Sequence, residues 1–248
     1  AFNVSFHAKK MIRMEHNAMC FIIICFYPDV QHITRLIRTL RPWRVLVVDN
    51  TPHHDSFDFV QRLKKDKHVT FIQTQKNLGY AGGINRGLDT GMAGGADWMV
   101  LLNQDIQLDA TSIDMFVHFL LHTQPGICGP FAGGLDRHRW TTQLPSERIE
   151  YISGSCMAIH RNVIESIGYF YEPYFMYYED ADYCIRARKA GFALTHIAVS
   201  LTHSDGTTFG QGSFLHQYYL ARNHLLFIKR NAPLKVQLHE MIRMPKTL

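Results

Sequence analysis

The chain has 248 residues, 46% of them hydrophobic and 19% charged, with a formal net charge of +5. That length and balance suit one globular domain with a full-sized core and exclude a disordered or fibrous chain. The positive excess admits an anionic partner such as a phosphate-bearing small molecule or an acidic membrane surface. Its lysines and arginines are spread along the chain and match no nucleic-acid-binding module, so no nucleic-acid partner is expected.

The first nineteen residues lack the apolar core and small-residue cleavage site of a secretory signal, which predicts a cytoplasmic protein. The longest apolar run, C-F-I-I-I-C-F from Cys20 to Phe26, is far short of the ~20 residues that span a bilayer, and reads as a buried strand. Five cysteines without a C-x-x-C pair suggest reduced, packed thiols. His118 and His122 stand four apart on an expected helix, but no H-E-x-x-H accompanies them and zinc is not inferred.

After the first strand, a helical pattern is expected around Ile33–Leu40, a strand over Val45–Asp49, a helix near Phe57–Leu63 and a strand over Val69–Gln73. A glycine-rich turn then leads into a helix from Ala81 to Met92, the strand Trp98–Leu102 and a helix around Ile113–Leu121. Strands that are apolar throughout, alternating with helices, predict an α/β fold with a mostly parallel sheet covered on both faces. Beyond these elements, Gly126–Gly134 reads as a loop and Trp140–Glu147 as a flexible lid or acceptor-side segment. The strands Ile152–His160 and Phe192–Val199 flank a helix opened by the acids at 179–182. The tail from Ser213 mixes aromatic and basic residues, as a helix packed on the domain or a surface resting on anionic lipid would.

A parallel sheet binds its ligand beyond the carboxyl ends of its strands. Asp49, at the end of V-L-V-V-D, can accept hydrogen bonds from a pyrimidine imide or a ribose, or can be a turn residue in D-N-T-P. Asn103 and Asp105 lie two apart after a strand, so both can approach one cation or one ribose-diphosphate, with magnesium or manganese the natural hard ion. The small residues of N-L-G-Y-A-G-G-I-N-R-G (Asn77–Gly87) let backbone amides approach a ligand, and Asn85 and Arg86 offer polar contacts. In Y-F-M-Y-Y-E-D-A-D-Y, the carboxylates Glu179, Asp180 and Asp182 open a helix. They can serve as first-turn caps or as a general base with neighbours that tune it.

These stretches, V-V-D-N, N-L-G-Y-A-G-G-I-N-R-G, L-L-N-Q-D, I-S-G-S-C-M-A-I-H-R and Y-Y-E-D-A-D-Y-C-I-R-A-R-K-A-G-F, resemble in this order the inverting family 2 glycosyltransferases of the GT-A fold. The later H-S-D-G and Y-Y-L-A-R-N-H-L are most similar to bacterial rhamnosyltransferases. The resemblance runs from about Cys20 to Arg230. It implies a nucleotide-sugar-binding half over about 20–125, fused to an acceptor and catalytic half over about 126–230, with 231–248 as a tail.

By that resemblance Asp49, Asn77, Gly79, Asn85, Arg86, Asn103 and Arg222 would meet a dTDP- or UDP-linked sugar. Asp105 and His203 would serve a divalent magnesium or manganese ion, and Asp180 would be the base, with Asp182 the second choice and Glu179 beside them. A glycan or lipid-linked glycan acceptor, reached at the inner face of the membrane, and rhamnose from dTDP-rhamnose are the implied partners. The sequence departs from the family where N-Q-D replaces D-x-D, which leaves one charged ligand, and where the first strand ends C-F-Y in place of T-Y-N. The weakened N-Q-D leaves a non-catalytic nucleotide- or glycan-binding module as one alternative. A sugar-1-phosphate nucleotidyltransferase is the other, although the first strand is followed by F-Y-P-D-V where a glycine-rich basic loop belongs.

Overall fold

In a computed structural model of the chain, the described residues are 18–52, 66–203 and 213–243, His203 by its backbone alone. The helix expected near Phe57–Leu63 lies outside them.

Long apolar runs become strands, of which the first, second and fourth are buried on both sides and the third is a partly exposed edge. They are β1 (Met19–Cys25), β2 (Arg44–Asp49), β3 (Val69–Gln73) and β4 (Trp98–Asn103), paired in parallel in the order β3-β2-β1-β4. Shorter strands follow: β5 (Ile106–Gln107), β6 (Gly126–Gly129), β7 (Ala132–Leu135), β8 (Thr142–Gln143), β9 (Tyr151–Ile152), β10 (Cys156–His160), β11 (Ala193–His196) and β12 (Thr202–His203). The central sheet has the order β11-β6-β10-β4-β1-β2-β3, and β10 alone runs against its neighbours. Strands from both halves of the chain therefore share one sheet.

The Gly126–Gly134 stretch, expected as a loop, instead holds β6 and the start of β7. Its glycines answer to crowding. A Cβ on Gly126 would lie 2.6 Å from the Ala193 carbonyl oxygen, and one on Gly129 would lie 2.5 Å from that of Cys156. Part of Trp140–Glu147 is likewise a strand, β8, paired with β7.

Along β1, Cys20, Ile22 and Ile24 face one core with Leu46, Val48, Met99 and Leu101. Phe21, Ile23 and Cys25 face the other with Val45, Val47, Val100 and Leu102. Successive strand side chains point oppositely, so a strand covered on both faces must be apolar at every position. The described helices are α1 (Val30–Thr39), α2 (Gly79–Ala93), α3 (Ala110–His122), α4 (Arg161–Ile167), α5 (Glu179–Lys189), α6 (Phe214–Asn231) and α7 (Leu234–Arg243), the last packed on α6. α1 starts where the Asp29 carboxylate accepts the amides of Gln31 and His32, and buries Ile33, Leu36 and Ile37. α3 is capped by Asp109 and buries Ile113, Phe116, Val117 and Leu120 on the same side of the sheet. α2 and α5 cover the opposite face with Ala81, Ile84, Leu88, Ala181 and Cys184, joined by Phe227 of α6. All five cysteines are buried free thiols. His118 and His122 stack at 4.3 Å on α3, and among the described residues no three metal-ligating side chains gather.

Candidate active site

Parallel register brings the ends of β1, β2 and β4 level, with Cys25 opposite Asp49 and Ile24 opposite Asn103. A cleft of about 420 Å³ opens at this edge. It is lined by Asn50, Asn77, Gly79, Asn103 and Asp105 from the strand ends and the start of α2, and by Gly154, Tyr177, Tyr178, Glu179 and Asp180 from the second half of the chain. Gln104 locks the strand ends together, since its side chain accepts the Phe26 N–H at 3.0 Å and donates to the Phe26 carbonyl at 3.1 Å. That contact occupies the middle of N-Q-D and leaves Asn103 and Asp105 on the cleft.

The start of α2 is built around Gly79. Its φ of +72° is left-handed, and a Cβ there would lie 2.4 Å from the Phe175 carbonyl oxygen, so both conformation and space require glycine. The Asn77 side chain accepts the Gly79 N–H at 2.9 Å, and the Gly79 carbonyl accepts Nδ2 of Asn50 at 2.7 Å. Asn50 is 2% exposed, and its Oδ1 has no hydrogen-bond partner among the described residues. Asn50 lines the cleft, and a buried acceptor without a donor is costly unless a ligand comes to supply one. Asp49, the expected nucleoside contact, is fully buried, and its Oδ1 accepts the Thr51 N–H at 2.9 Å. Asn50 is not among the expected ligand contacts, although it directly follows Asp49 in V-V-D-N.

The acid cluster divides three ways. Asp180 accepts the Gly154 N–H at 3.0 Å on one oxygen and the Ala181 N–H at 2.8 Å on the other, and keeps a face on the cleft. Burial raises its proton affinity, the backbone amides of Gly154, Ala181 and Asp180 itself oppose that rise, and the net pKa lies above the ordinary value. Glu179 is 5% exposed, and its Oε2 has no hydrogen-bond partner among the described residues. Burial first, then the charge of Asp180, pushes its pKa well above the ordinary value. Asp180 has more amide donors than Glu179, so of this pair it gives up its proton more readily.

Asp182, the second-choice base, faces the core. It is fully buried and ion-paired to Nε of Arg186 at 2.9 Å and of Arg230 at 3.0 Å, with Nδ2 of Asn231 at 2.8 Å and the Tyr174 hydroxyl at 3.2 Å. Burial pushes its pKa up, but Asn231 and the two arginines outweigh that and hold it below the ordinary value.

The residues leading to α5 are strained. Phe175, Tyr177 and Tyr178 have φ of 67°, 65° and 70°. Such conformations cost on the order of 1–3 kcal/mol each and persist only where the surroundings impose them.

Three other expected ligand contacts lie elsewhere. Asn85 is a buried staple, donating to the Phe170 carbonyl and to Glu172 Oε1 and accepting the Phe170 N–H, each at 3.0 Å. Arg86 is on the exposed face of α2. Arg222 does not line the cleft, and its Nη2 donates to the carbonyls of Pro173 at 2.6 Å and Tyr174 at 2.8 Å. The backbone of His203 pairs with Ile106, next to Asp105. Its side chain lies outside the described residues.

Asp105 and Asn103 offer one carboxylate and one amide oxygen on the cleft. That set is too small for a dedicated protein cage. It suits a hard divalent ion that takes its other ligands from phosphate oxygens and water. Asp105 with Asn103 would hold such an ion, which would supply positive charge against a diphosphate.

A family model, Glycosyl transferase family 2, matches residues 21–186. A Mycobacterium tuberculosis relative, N-acetylglucosaminyl-diphospho-decaprenol L-rhamnosyltransferase, is 28% identical over 82% of this chain and 80% of its own. The dTDP-rhamnosyl transferase RfbF of Shigella flexneri is 23% identical over 89% of this chain and 83% of its own. Among solved structures, the mannosyltransferase PcManGT from Pyrobaculum calidifontis, in complex with GDP-Man and Mn2+, superposes with a TM-score of 0.60. It is 14% identical, over 91% of this chain and 69% of that one. The chain belongs to glycosyltransferase family 2, has the GT-A fold and is a glycosyltransferase.

Proposed function

We propose that this enzyme moves rhamnose, with inversion, from dTDP-rhamnose to a lipid-linked or cell-surface glycan. The observation that carries the reading is the cleft lined by both Asp105 and the amide-held Asp180. The diphosphate lies toward Asn103 and Asp105, and the base toward Asn50, whose open Oδ1 accepts the pyrimidine imide N–H. The acceptor hydroxyl gives its proton to Asp180 while its oxygen bonds to the anomeric carbon. The bond from that carbon to the diphosphate breaks with its electron pair, and the nucleoside diphosphate departs. Burial and the charge of Asp180 favour the protonated form of Glu179, which limits the negative charge at this centre. The two rhamnosyltransferase relatives support the choice of sugar, and the mycobacterial one supports a polyprenyl-diphosphate acceptor.

Thymidine diphosphate should raise the melting temperature, with a larger rise when manganese is present, and Asn50→Ala should remove most of that rise. If neither thymidine nor uridine diphosphate shifts the melting temperature, with or without the ion, the donor site is not where it is placed here.

The acceptor reading favours work at the cytoplasmic face of a membrane. No helix among the described residues is long and apolar enough to cross one. The outer face of α7 exposes Leu234, Leu238, Met241 and Ile242, close to exposed Lys229 and Lys235. The sole acid between 213 and 243, Glu240, is buried and paired with Arg243 at 2.8 Å. An apolar stripe flanked by cations fits an anionic lipid surface. The chain should sediment with phosphatidylglycerol-containing vesicles and not with phosphatidylcholine alone. The pair Leu238→Glu and Ile242→Glu should release it, and binding unaffected by that pair would discard this surface.

A further inference from the structure

We infer that Arg222 and Asn223, adjacent on α6, are positioning residues that hold the 173–178 loop in the strained form from which α5 aims Glu179 and Asp180 into the cleft. This deepens the reading of Asp180 as the base and rests on it.

The loop cannot hold itself. Phe175 (φ 67°, ψ −59°) is the centre of a γ-turn of the positive-φ kind, closed by the Met176 N–H on the Tyr174 carbonyl at 2.7 Å. That turn is rare because it is strained. Tyr178, at φ 70° and ψ −9°, is the N-cap of α5 and gives it no side-chain cap bond. Neither tyrosine nor phenylalanine favours these conformations, so an outside contact must impose them.

α6 supplies that contact. The fully buried Asn223 directs Nδ2 at three carbonyls, those of Tyr174 at 2.8 Å, Tyr177 at 3.0 Å and Met176. Its Oδ1 accepts Nε of Arg222 at 2.9 Å, which fixes which end of the amide faces the loop. The Arg222 guanidinium donates to the carbonyls of Pro173 and Tyr174 and lies over the Tyr219 ring, which in turn stacks on Phe175 at 5.0 Å. Four carbonyls in five residues are thus served by two neighbouring side chains. From the other side, the Phe175 carbonyl accepts the Ala81 N–H at 3.2 Å, which ties the loop to α2. Without the α6 contacts the loop carbonyls lose their buried donors, and Phe175, Tyr177 and Tyr178 have no reason to keep positive φ. Relaxation there turns the first residues of α5, which carry both cleft carboxyls.

The test uses the whole chain with Asn223→Ala, Arg222→Ala and Arg222→Lys. The half-exposed Arg222 protects the test if Asn223→Ala fails to fold. Arg222→Ala should speed amide hydrogen exchange across residues 173–178 and lower kcat on the order of 100-fold, the expected result of a misaimed base. Affinity for thymidine diphosphate should fall far less than kcat, because Asn50, Asn103 and Asp105 make no hydrogen bond with Arg222 or Asn223. Arg222→Lys, which can still donate to both carbonyls, should recover most of kcat. Unchanged exchange in Arg222→Ala and Asn223→Ala overturns the inference, and so does faster exchange with wild-type kcat. Wild-type protein that turns over no nucleotide sugar would sink the transfer reading instead, and exchange would still decide whether α6 holds the loop.

Discussion

Asp180→Asn should lower kcat by about 10²–10⁴-fold, the range lost when a positioned general base is removed, while affinity for a nucleoside diphosphate changes little. Asparagine keeps the shape but cannot take a proton. It also meets two amide donors, from Gly154 and Ala181, with only one acceptor oxygen. Some stability is lost for that reason, about 1–3 kcal/mol for one amide left without its acceptor, so kcat must be measured well below the melting temperature. The wild-type enzyme supplies a second check. Its base must be ionised, and burial holds the Asp180 pKa above the ordinary carboxylate value. Activity should therefore rise with pH through a midpoint above that value, and the variant should lack this limb. A variant within tenfold of wild type would assign the proton to another group.

Asp182→Ala should destabilise the fold by about 3 kcal/mol, toward the low end for breaking a buried ion pair, because Arg186 and Arg230 still reach water. For a chain of this size that is roughly 6–12 °C in melting temperature. The sign with pH follows from the depressed pKa. Stability from Asp182 is fully present above its ordinary value of 3.8 and is lost as pH falls through its lower folded value. Acid unfolding should therefore come at higher pH, and with a shallower stability loss, once Asp182 is gone. Differential scanning calorimetry across that range decides. A variant that melts like wild type at pH 7 would show that the four contacts of Asp182 hold nothing together.

The contrast between these two aspartates shows what could be read from the chain and what could not. Residues two apart on a helix point about 200° apart, so one of Asp180 and Asp182 had to turn from the cleft. Local pattern cannot say which, because the choice depends on Arg230 and Asn231, some fifty residues on. Asn85 and Arg222 were placed among ligand contacts for the same reason, since their partners at Phe170 and Tyr174 are remote in sequence. Asn50 and Asp49 posed a similar choice, as neighbours at a strand end that face opposite ways. By contrast β1, β2 and β4, and the body of helix α1, are legible because their signals are local: unbroken apolar runs, and a 3.6-residue apolar period; the Asp29 cap, ahead of the expected start at Ile33, is a finding of the structure. The strand β6 was missed because its glycines serve close backbone approach, which resembles a turn when only composition is visible.

The reversed strand β10 also decides what kind of backbone group the cleft can offer. Strand peptides point their N–H and C=O groups sideways into the ladder, so strands finishing at this edge engage theirs with one another. A strand that sets out from the same edge is preceded by a turn outside the ladder, and Gly154 of that turn gives its N–H to Asp180. By inverting one member, the sheet places a hydrogen-bond donor beside the carboxylate proposed as the base. The polarity of a single strand thus reaches into the resting ionisation of the base.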